Sequence, residues 1–328
     1  MFDGKTILIT GGTGSFGRAF TKQIISNFNP LKIIVFSRDE IKQWQMAKDF
    51  SDNRIRYFLG DVRDRERLAR AFTDVDYVVH AAALKIVPRA EYDPFEYVKT
   101  NIMGAMNVID IAIDRRIEKV VALSTDKACL PVNLYGGTKL VSDKLFISGN
   151  GYSGANGTKF SVVRYGNVMG SRGSVIPLFN SQILTGVITI TDERMTRFMV
   201  TLKQGVEIVL HAFKDMQGGE VYVKKVPSIK IIDLVSAMSS SSKINRIGIR
   251  PGEKLHEHMI SPEDAPFTYE YKEYYKIVPA TNSPEANSKL TTGGRAVPSG
   301  FCYSSDQNDN WLSKDEILNW LRENEVAE

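Results

Sequence analysis

Short apolar runs alternate with longer amphipathic stretches through the first half of the chain. Residues 6–10, 32–36, 56–59, 77–80, 120–124 and 160–165 read as buried strands, and residues 18–27, 64–72, 100–115 and 135–149 as the clearest helices. Repeated strand–helix–strand order builds a parallel sheet, because a crossover helix must return the chain to the same end of each strand. The pattern therefore predicts an α/β fold with a doubly wound parallel sheet.

After Asn167 the rhythm gives way to Gly, Ser and Pro punctuation at Gly170, Gly173 and Pro177. A second, smaller α/β lobe is expected from there. Residues 197–213 read as a short strand and a helix that rejoin the first lobe, so the expected first domain is 1–168 plus roughly 197–215. The smaller lobe then takes roughly 169–196 and 216–328. Residues 239–242 read as a surface turn, and 282–300 as loop before a terminal helix at 314–324.

At 328 residues the chain exceeds the usual single-core size, which suits two lobes. Hydrophobic residues at 43% and charged residues at 24% are those of a folded globular protein, and a formal charge of +4 gives no support to nucleic-acid binding. Cys129 and Cys302 form no metal-ligand or disulfide pattern, so no metal is expected and a reducing cytoplasm fits. Met1-Phe2-Asp3-Gly4-Lys5 leads straight into a strand, and no apolar run approaches the roughly 18 residues a membrane span needs. A protein neither secreted nor membrane-embedded is expected.

The first chemistry-bearing segment is Thr10-Gly11-Gly12-Thr13-Gly14-Ser15-Phe16-Gly17, between the first strand and the first helix. Glycines at this spacing let the backbone turn sharply and approach a pyrophosphate, which then meets amides at the helix N-terminus. That places Gly11, Thr13, Gly14, Ser15, Phe16 and Gly17 on a dinucleotide and makes the larger domain Rossmann-type. Ser37-Arg38-Asp39-Glu40, with Lys42 behind, ends the second strand. An arginine there accommodates a ribose 2′-phosphate, so Arg38 favours NADP, while Asp39 leaves NAD open. Asp61 and Val62 after the third strand are expected beside adenine, and Ala81, Ala82 and Ala83 after the fourth leave room for the cofactor.

Tyr135 and Lys139 are four residues apart and so share a helix face. A neighbouring ammonium favours phenolate, so Lys139 is expected to depress the Tyr135 pKa and make it a base. Thr125 follows Ser124 at the end of the fifth strand as a hydroxyl partner for substrate.

With these pieces in place, the chain resembles the extended short-chain dehydrogenase/reductases, specifically the inverting UDP-N-acetylglucosamine 4,6-dehydratases. The segments that carry the resemblance are TGGTGSFG at 10–17, FSRDE at 36–40, GDVRD at 60–64, HAAALK at 80–85 and KTNIMGAMNV at 99–108. They continue in order with LSTDKA at 123–128, NLYGGTK at 133–139, RYGNVMGSRGSVIP at 164–177, ITDERMTRF at 190–198 and IRPGEKLHE at 249–257.

The resemblance implies a homo-oligomer, with a hexamer as one candidate, and a tightly bound, recycled NADP. It implies dehydration through Thr125-Asp126-Lys127. Tyr135 takes the 4-hydroxyl proton as hydride leaves carbon 4, and the new ketone acidifies carbon 5. Lys127 is then assigned as carbon 5 base and Asp126 as acid for the departing 6-hydroxyl, with the reverse assignment open. Around UDP it places Asn167, Arg172, Ser174, Val175, Ile176, Thr189, Thr191, Arg197, Arg250 and Glu253, with Lys85 near the sugar. Ile86 departs from the histidine many inverting members carry, which raises release of a 5,6-ene as one alternative. A nucleotide-sugar 4-epimerase, leaving Asp126 and Lys127 idle, is the other. His80, His211, His256 and His258 are assigned no catalytic role.

Overall fold

The computed structural model describes residues 1–154, 157–170, 175–239 and 241–323. Six strands, β1 (Thr6–Thr10), β2 (Lys32–Ser37), β3 (Ile55–Leu59), β4 (Tyr77–His80), β5 (Lys119–Thr125) and β6 (Lys159–Tyr165), pair in parallel in the order 3-2-1-4-5-6. The chain reverses direction across the sheet between β1 and β4, which opens a crevice at their carboxyl ends. β1 and β4 are buried at every position, as expected for strands covered on both faces. The first helix, α1 (Ser15–Asn27), and the helix Leu202–Asp215 pack on the same core through Phe20, Ile24, Val206, Val209 and Phe213.

The smaller lobe has its own core of Met169, Ile176, Phe179, Ile188, Ile190, Met195 and Leu234 among others. Its boundary differs from the expected one. Strand Val221–Lys224 joins β6 in parallel, and Tyr274–Ile277, Thr268–Glu270 and Arg295–Ala296 extend the same sheet antiparallel, giving ten strands in all. The segments 221–224, 268–277 and 295–296 therefore return to the large sheet, while 229–235 and 312–317 stay with the smaller lobe's core. The period of two in a short edge strand is too brief to be told from loop, which is why the sequence pattern missed it. For the same reason 282–300 is not all loop: it holds the helix Pro284–Leu290 besides the two-residue strand.

Thr196–Val200 pairs in a separate three-stranded sheet with Asn167–Val168 and Ser228–Lys230, while its Phe198 and Val200 pack in the larger lobe's core together with the helix that follows. The strand thereby joins the two lobes, since its Met199 packs in the smaller core. The helix expected over 100–115 begins as a π-helical turn at Val98–Met103 and becomes regular at Gly104–Asp114. Such turns widen a helix locally and recur at functional sites. Among the described residues no helix is long and apolar enough to cross a membrane.

Candidate active site

The glycine loop leaves β1 at Thr10 and enters α1. Gly11 adopts φ +67°, and a β-carbon there would lie 2.9 Å from the Ala82 backbone, so the loop rests directly on the chain leaving β4. At Gly17 a β-carbon would reach 2.3 Å from the Gly12 carbonyl oxygen, which fixes how closely the helix start folds onto the loop. Gly14 is the N-cap of α1 and no side chain caps it, leaving the first-turn amides of Ser15, Phe16 and Gly17 for a ligand. This uncapped, side-chain-free cradle fits a dinucleotide pyrophosphate. The Phe16 ring itself stacks on Phe20 at 5.9 Å, so only its backbone faces the cradle. Thr13 is buried beneath it.

At the end of β2, Ser37 is buried and its hydroxyl accepts a hydrogen bond from Gln43 Nε2 at 3.1 Å. Asp39 caps the next helix, α2 (Glu40–Asp49), by accepting from the Lys42 amide at 2.9 Å, and pairs with Lys42 Nζ at 2.6 Å. Its carboxylate is thus engaged by α2. Arg38 is exposed, with a guanidinium 3.6 Å from Asp61. Burial works to raise the Asp61 pKa, but hydrogen bonds from Arg63 and the charges of Arg63 and Arg38 outweigh it and leave it below its ordinary value. Val62 is buried under Gly104. Ala81 and Ala82 amides donate to Thr10, at 3.2 Å to its carbonyl and 3.3 Å to its hydroxyl, and Ala83 is exposed beyond them.

β5 delivers the reactive couple. Thr125 ends the strand and caps the one-turn helix Asp126–Ala128, its hydroxyl accepting from the Lys127 amide at 3.3 Å and donating to Asp126 Oδ1 at 2.9 Å. Asp126 is fully buried, and its Oδ2 has no hydrogen-bond partner. Burial raises its pKa against the pull of Lys127. Lys127 Nζ lies 3.0 Å from Asp126 Oδ1, 3.2 Å from Asn167 Oδ1 and 3.3 Å from Glu257 Oε1. Burial would lower its pKa, yet Asp126 and Glu257 more than compensate and keep it a firmly held ammonium.

The helix Leu134–Ser153 supplies Tyr135. Asn133 caps it by accepting from the Gly136 amide at 2.7 Å. Burial pushes the Tyr135 hydroxyl up to about 12, with the Lys127 charge and a hydrogen bond to Thr125 acting in the opposite direction. The expected influence of Lys139 is corrected here. Its ammonium donates to the Leu123 carbonyl at 2.7 Å and faces Asp143, and the cation acting on Tyr135 is Lys127. Burial lowers the Lys139 pKa. Lys85 is exposed as a whole residue, yet its ammonium is partly withdrawn from solvent, and this with the nearby Lys127 charge lowers its pKa. Ile86 is 59% exposed beside it.

The remaining expected substrate residues divide. Asn167 meets Lys127. The turn carrying Arg250 and Glu253, themselves paired at 2.9 Å, docks on the catalytic helix through the Gly252 carbonyl, which accepts from Asn133 at 2.7 Å. Arg197, expected on the diphosphate, instead donates to the backbone carbonyls of Thr196, Leu255 and Lys254 at 2.7, 3.0 and 3.0 Å. It clamps the loop that presents Glu257. Ile176 turns into the smaller lobe's core. Val175, Thr189 and Thr191 are half-buried in that lobe. Arg172 and Ser174 lie outside the described residues.

Two groups went unassigned in the sequence. Asn101, buried in the π-helical turn, bonds both the Leu84 amide and carbonyl at 2.9 Å and the Thr138 hydroxyl at 3.0 Å, stapling the β4 loop to the catalytic helix. The π-turn had no periodicity signal. Glu257 is a carboxylate 130 residues from Lys127, a pairing that sequence spacing cannot reveal.

Residues 7–279 match the family described as polysaccharide biosynthesis protein. A Campylobacter jejuni subsp. jejuni serotype O:23/36 (strain 81-176) protein described as UDP-N-acetylglucosamine 4,6-dehydratase (inverting) is 52% identical over 332 residues, covering 99% of both chains. A UDP-glucose 4-epimerase of Rickettsia canadensis (strain McKiel) is 45% identical over 285 residues, 84% of both. The X-ray structure of Pen from Bacillus thuringiensis superposes with a TM-score of 0.91 at 39% identity, covering 98% of both chains.

Proposed function

The chain belongs to the polysaccharide biosynthesis protein family, and from that premise we propose that it is an inverting UDP-N-acetylglucosamine 4,6-dehydratase that uses NADP. The observation that carries this reading is the convergence of Tyr135, Thr125, Asp126 and Lys127 at one place, coupled by hydrogen bonds and charge.

A bound nicotinamide dinucleotide supplies the acceptor for the carbon 4 hydride and its return to carbon 6. The glycine loop and the amides of Ser15, Phe16 and Gly17 hold its pyrophosphate. Exposed Arg38 supports NADP over NAD, because it can meet a 2′-phosphate while Asp39 is engaged on α2. Lys139 shares the helix face of Tyr135.

Tyr135, oriented by Thr125, takes the 4-hydroxyl proton. Asp126, whose burial favours its protonated form, takes a proton from the Lys127 ammonium 3.0 Å away and gives it to the departing 6-hydroxyl, which leaves as water. Lys127, left neutral by that transfer, takes the carbon 5 proton and becomes an ammonium again. A second proton, drawn from solvent water, then enters carbon 5 from the opposite face and inverts it, and Tyr135 returns its proton to solvent. Lys85, Asn167, Arg250 and Glu253 border the space for the nucleotide sugar.

The relationship to a 4-epimerase supports a second reading, in which Asp126 and Lys127 take no part. A fully buried carboxylate beside an ammonium carries a desolvation cost of several kcal/mol, and an epimerase has no use for it. Incubation with UDP-N-acetylglucosamine in D2O, followed by proton NMR and mass spectrometry, separates the readings. A 4-keto product with a C6 methyl and deuterium at carbon 5 is expected. A product retaining its 6-hydroxyl supports the epimerase, and an alkene proton signal at carbon 6 marks release of the 5,6-ene beside Ile86.

A further inference from the structure

Lys127 pairs with its sequence neighbour Asp126, and a second anion meets it from far along the chain. Glu257 is 2% exposed and stands among three cations: Lys127 Nζ at 3.3 Å, Lys254 Nζ at 3.8 Å and Arg197 Nε at 3.9 Å. Its backbone is pinned on both sides by Ser305, whose hydroxyl accepts from the Glu257 amide at 2.9 Å and whose amide donates to the Glu257 carbonyl at 2.8 Å. Ser305 in turn bonds Thr196 at 2.7 Å, beside the Arg197 clamp. The backbone that carries this buried carboxylate is fixed by Ser305, so the charge is delivered to Lys127 from a set position.

An ammonium has three N–H donors, and Lys127 has three side-chain oxygens around it: Asp126 and Asn167 on one side, Glu257 on the other. We propose that Glu257 is a positioning residue for the 4,6-dehydratase reaction, its carboxylate fixing the Lys127 amine against Asp126 and Asn167 so that one nitrogen serves the elimination. The proposal rests on the function proposed above. It gives the smaller lobe's crossing strand and the 254–257 loop a catalytic purpose, since they position an anion rather than touch the sugar.

The consequence for charge has a definite sign. A carboxylate close to an ammonium favours the charged form, so Glu257 raises the proton affinity of Lys127, and removing that charge lowers it. Lys127 acts as a base only when neutral, so the rise of elimination rate with pH must move towards acid when Glu257 is neutralised. Burial of Glu257 acts to raise its own pKa, but the surrounding cations of Lys127, Arg197 and Lys254 hold it below its ordinary value, so it remains an anion.

Two variants separate charge from reach. Glu257→Gln keeps the length and an acceptor oxygen but removes the charge; Glu257→Asp keeps the charge and withdraws it by one methylene. Protein labelled with [6-13C]lysine, with Lys127→Arg assigning the signal, reports the Lys127 titration without any turnover. In Glu257→Gln the midpoint is expected to fall by about 1–3 pH units, the range an adjacent opposite charge commands. The ascending limb of product formation should fall with it while KM stays within about twofold. Glu257→Asp should leave that limb in place and reduce kcat about tenfold or more.

An unchanged Lys127 titration in Glu257→Gln overturns the proposal, as does equal loss of kcat and KM in both variants with no shift of the limb. Should the glutamine variant fail to fold, the aspartate variant decides by its limb and plateau. Absence of any dehydrated product from the unaltered protein refutes the proposed function instead, and the lysine titration still tests the Glu257–Lys127 coupling.

Discussion

A β-carbon placed on Gly136 would lie 2.2 Å from the carbonyl oxygen of Lys127. The helix Leu134–Ser153 therefore presses its backbone directly against the turn that carries Asp126 and Lys127, and the second residue of Tyr135-Gly136-Gly137 is what allows it. Tyr135 and Lys127 are held at a fixed separation by this contact.

Gly136→Ala should force that contact apart. We expect a loss of about 1–3 kcal/mol of stability from overpacking, with product formation falling by at least about tenfold. Gly137→Ala is the control, because a β-carbon there meets nothing within 4 Å. Its effect on unfolding midpoint should be neutral or a gain of up to about 1 kcal/mol from helix propensity. Thermal denaturation of the pair reads both; equal destabilisation would contradict the contact.

Tyr135→Phe should lower product formation about 10²–10⁴-fold while nucleotide-sugar binding changes little. With the hydroxyl pushed up to about 12 by burial and drawn back by Lys127, the phenolate fraction grows with pH throughout the neutral range. Carbon 4 oxidation, followed as 340 nm absorbance in a single turnover, should therefore rise with pH. In Lys127→Met the same rise should move to higher pH, because the charge that favours phenolate is gone. A limb that stays in place would assign the influence to another cation.

Arg38→Ala should weaken NADP binding about tenfold, equivalent to roughly 1.4 kcal/mol, a modest value because the guanidinium is solvent-exposed. NAD affinity should be nearly unchanged. Calorimetric titration of both dinucleotides tests this, and equal weakening of the two would remove the 2′-phosphate assignment.

His80 provides a prediction about stability and pH. It is buried, hydrogen-bonded to Thr10 at 2.8 Å, and burial with the Lys139 charge pulls its pKa down to about 3 from an ordinary 6.5. Above pH 6.5 neither folded nor unfolded protein protonates it, so its contribution is intact. Below that, the unfolded chain binds a proton that the folded one refuses, and stability falls until about pH 3. Between pH 7.5 and pH 5 the difference is about 2 kcal/mol. A His80→Gln variant should lose that much less over the same interval in denaturant titrations, and parallel curves would show that His80 does not titrate this way.

The sequence determined those parts of the protein whose physics is local. Apolar runs identified β1 to β6 as strands of one parallel sheet, whose order the fold alone decided, and the glycine spacing before α1 located a cradle that only residues without a β-carbon can form. Thr125, Asp126 and Lys127 are contiguous, and Tyr135 and Lys139 share a helix face, so these were legible as pairs before any folding. Which cation governs Tyr135 was not, because spacing on a helix says nothing about where an ammonium turns; packing sends Lys139 to the Leu123 carbonyl and leaves Lys127 facing the phenol. The tertiary structure alone decided that Arg197 clamps backbone, that Asn101 staples the β4 loop, and that Glu257 meets Lys127 across 130 residues. Long-range charge pairing depends on how two lobes close on one crevice, and that closure is a property of the whole core rather than of any segment.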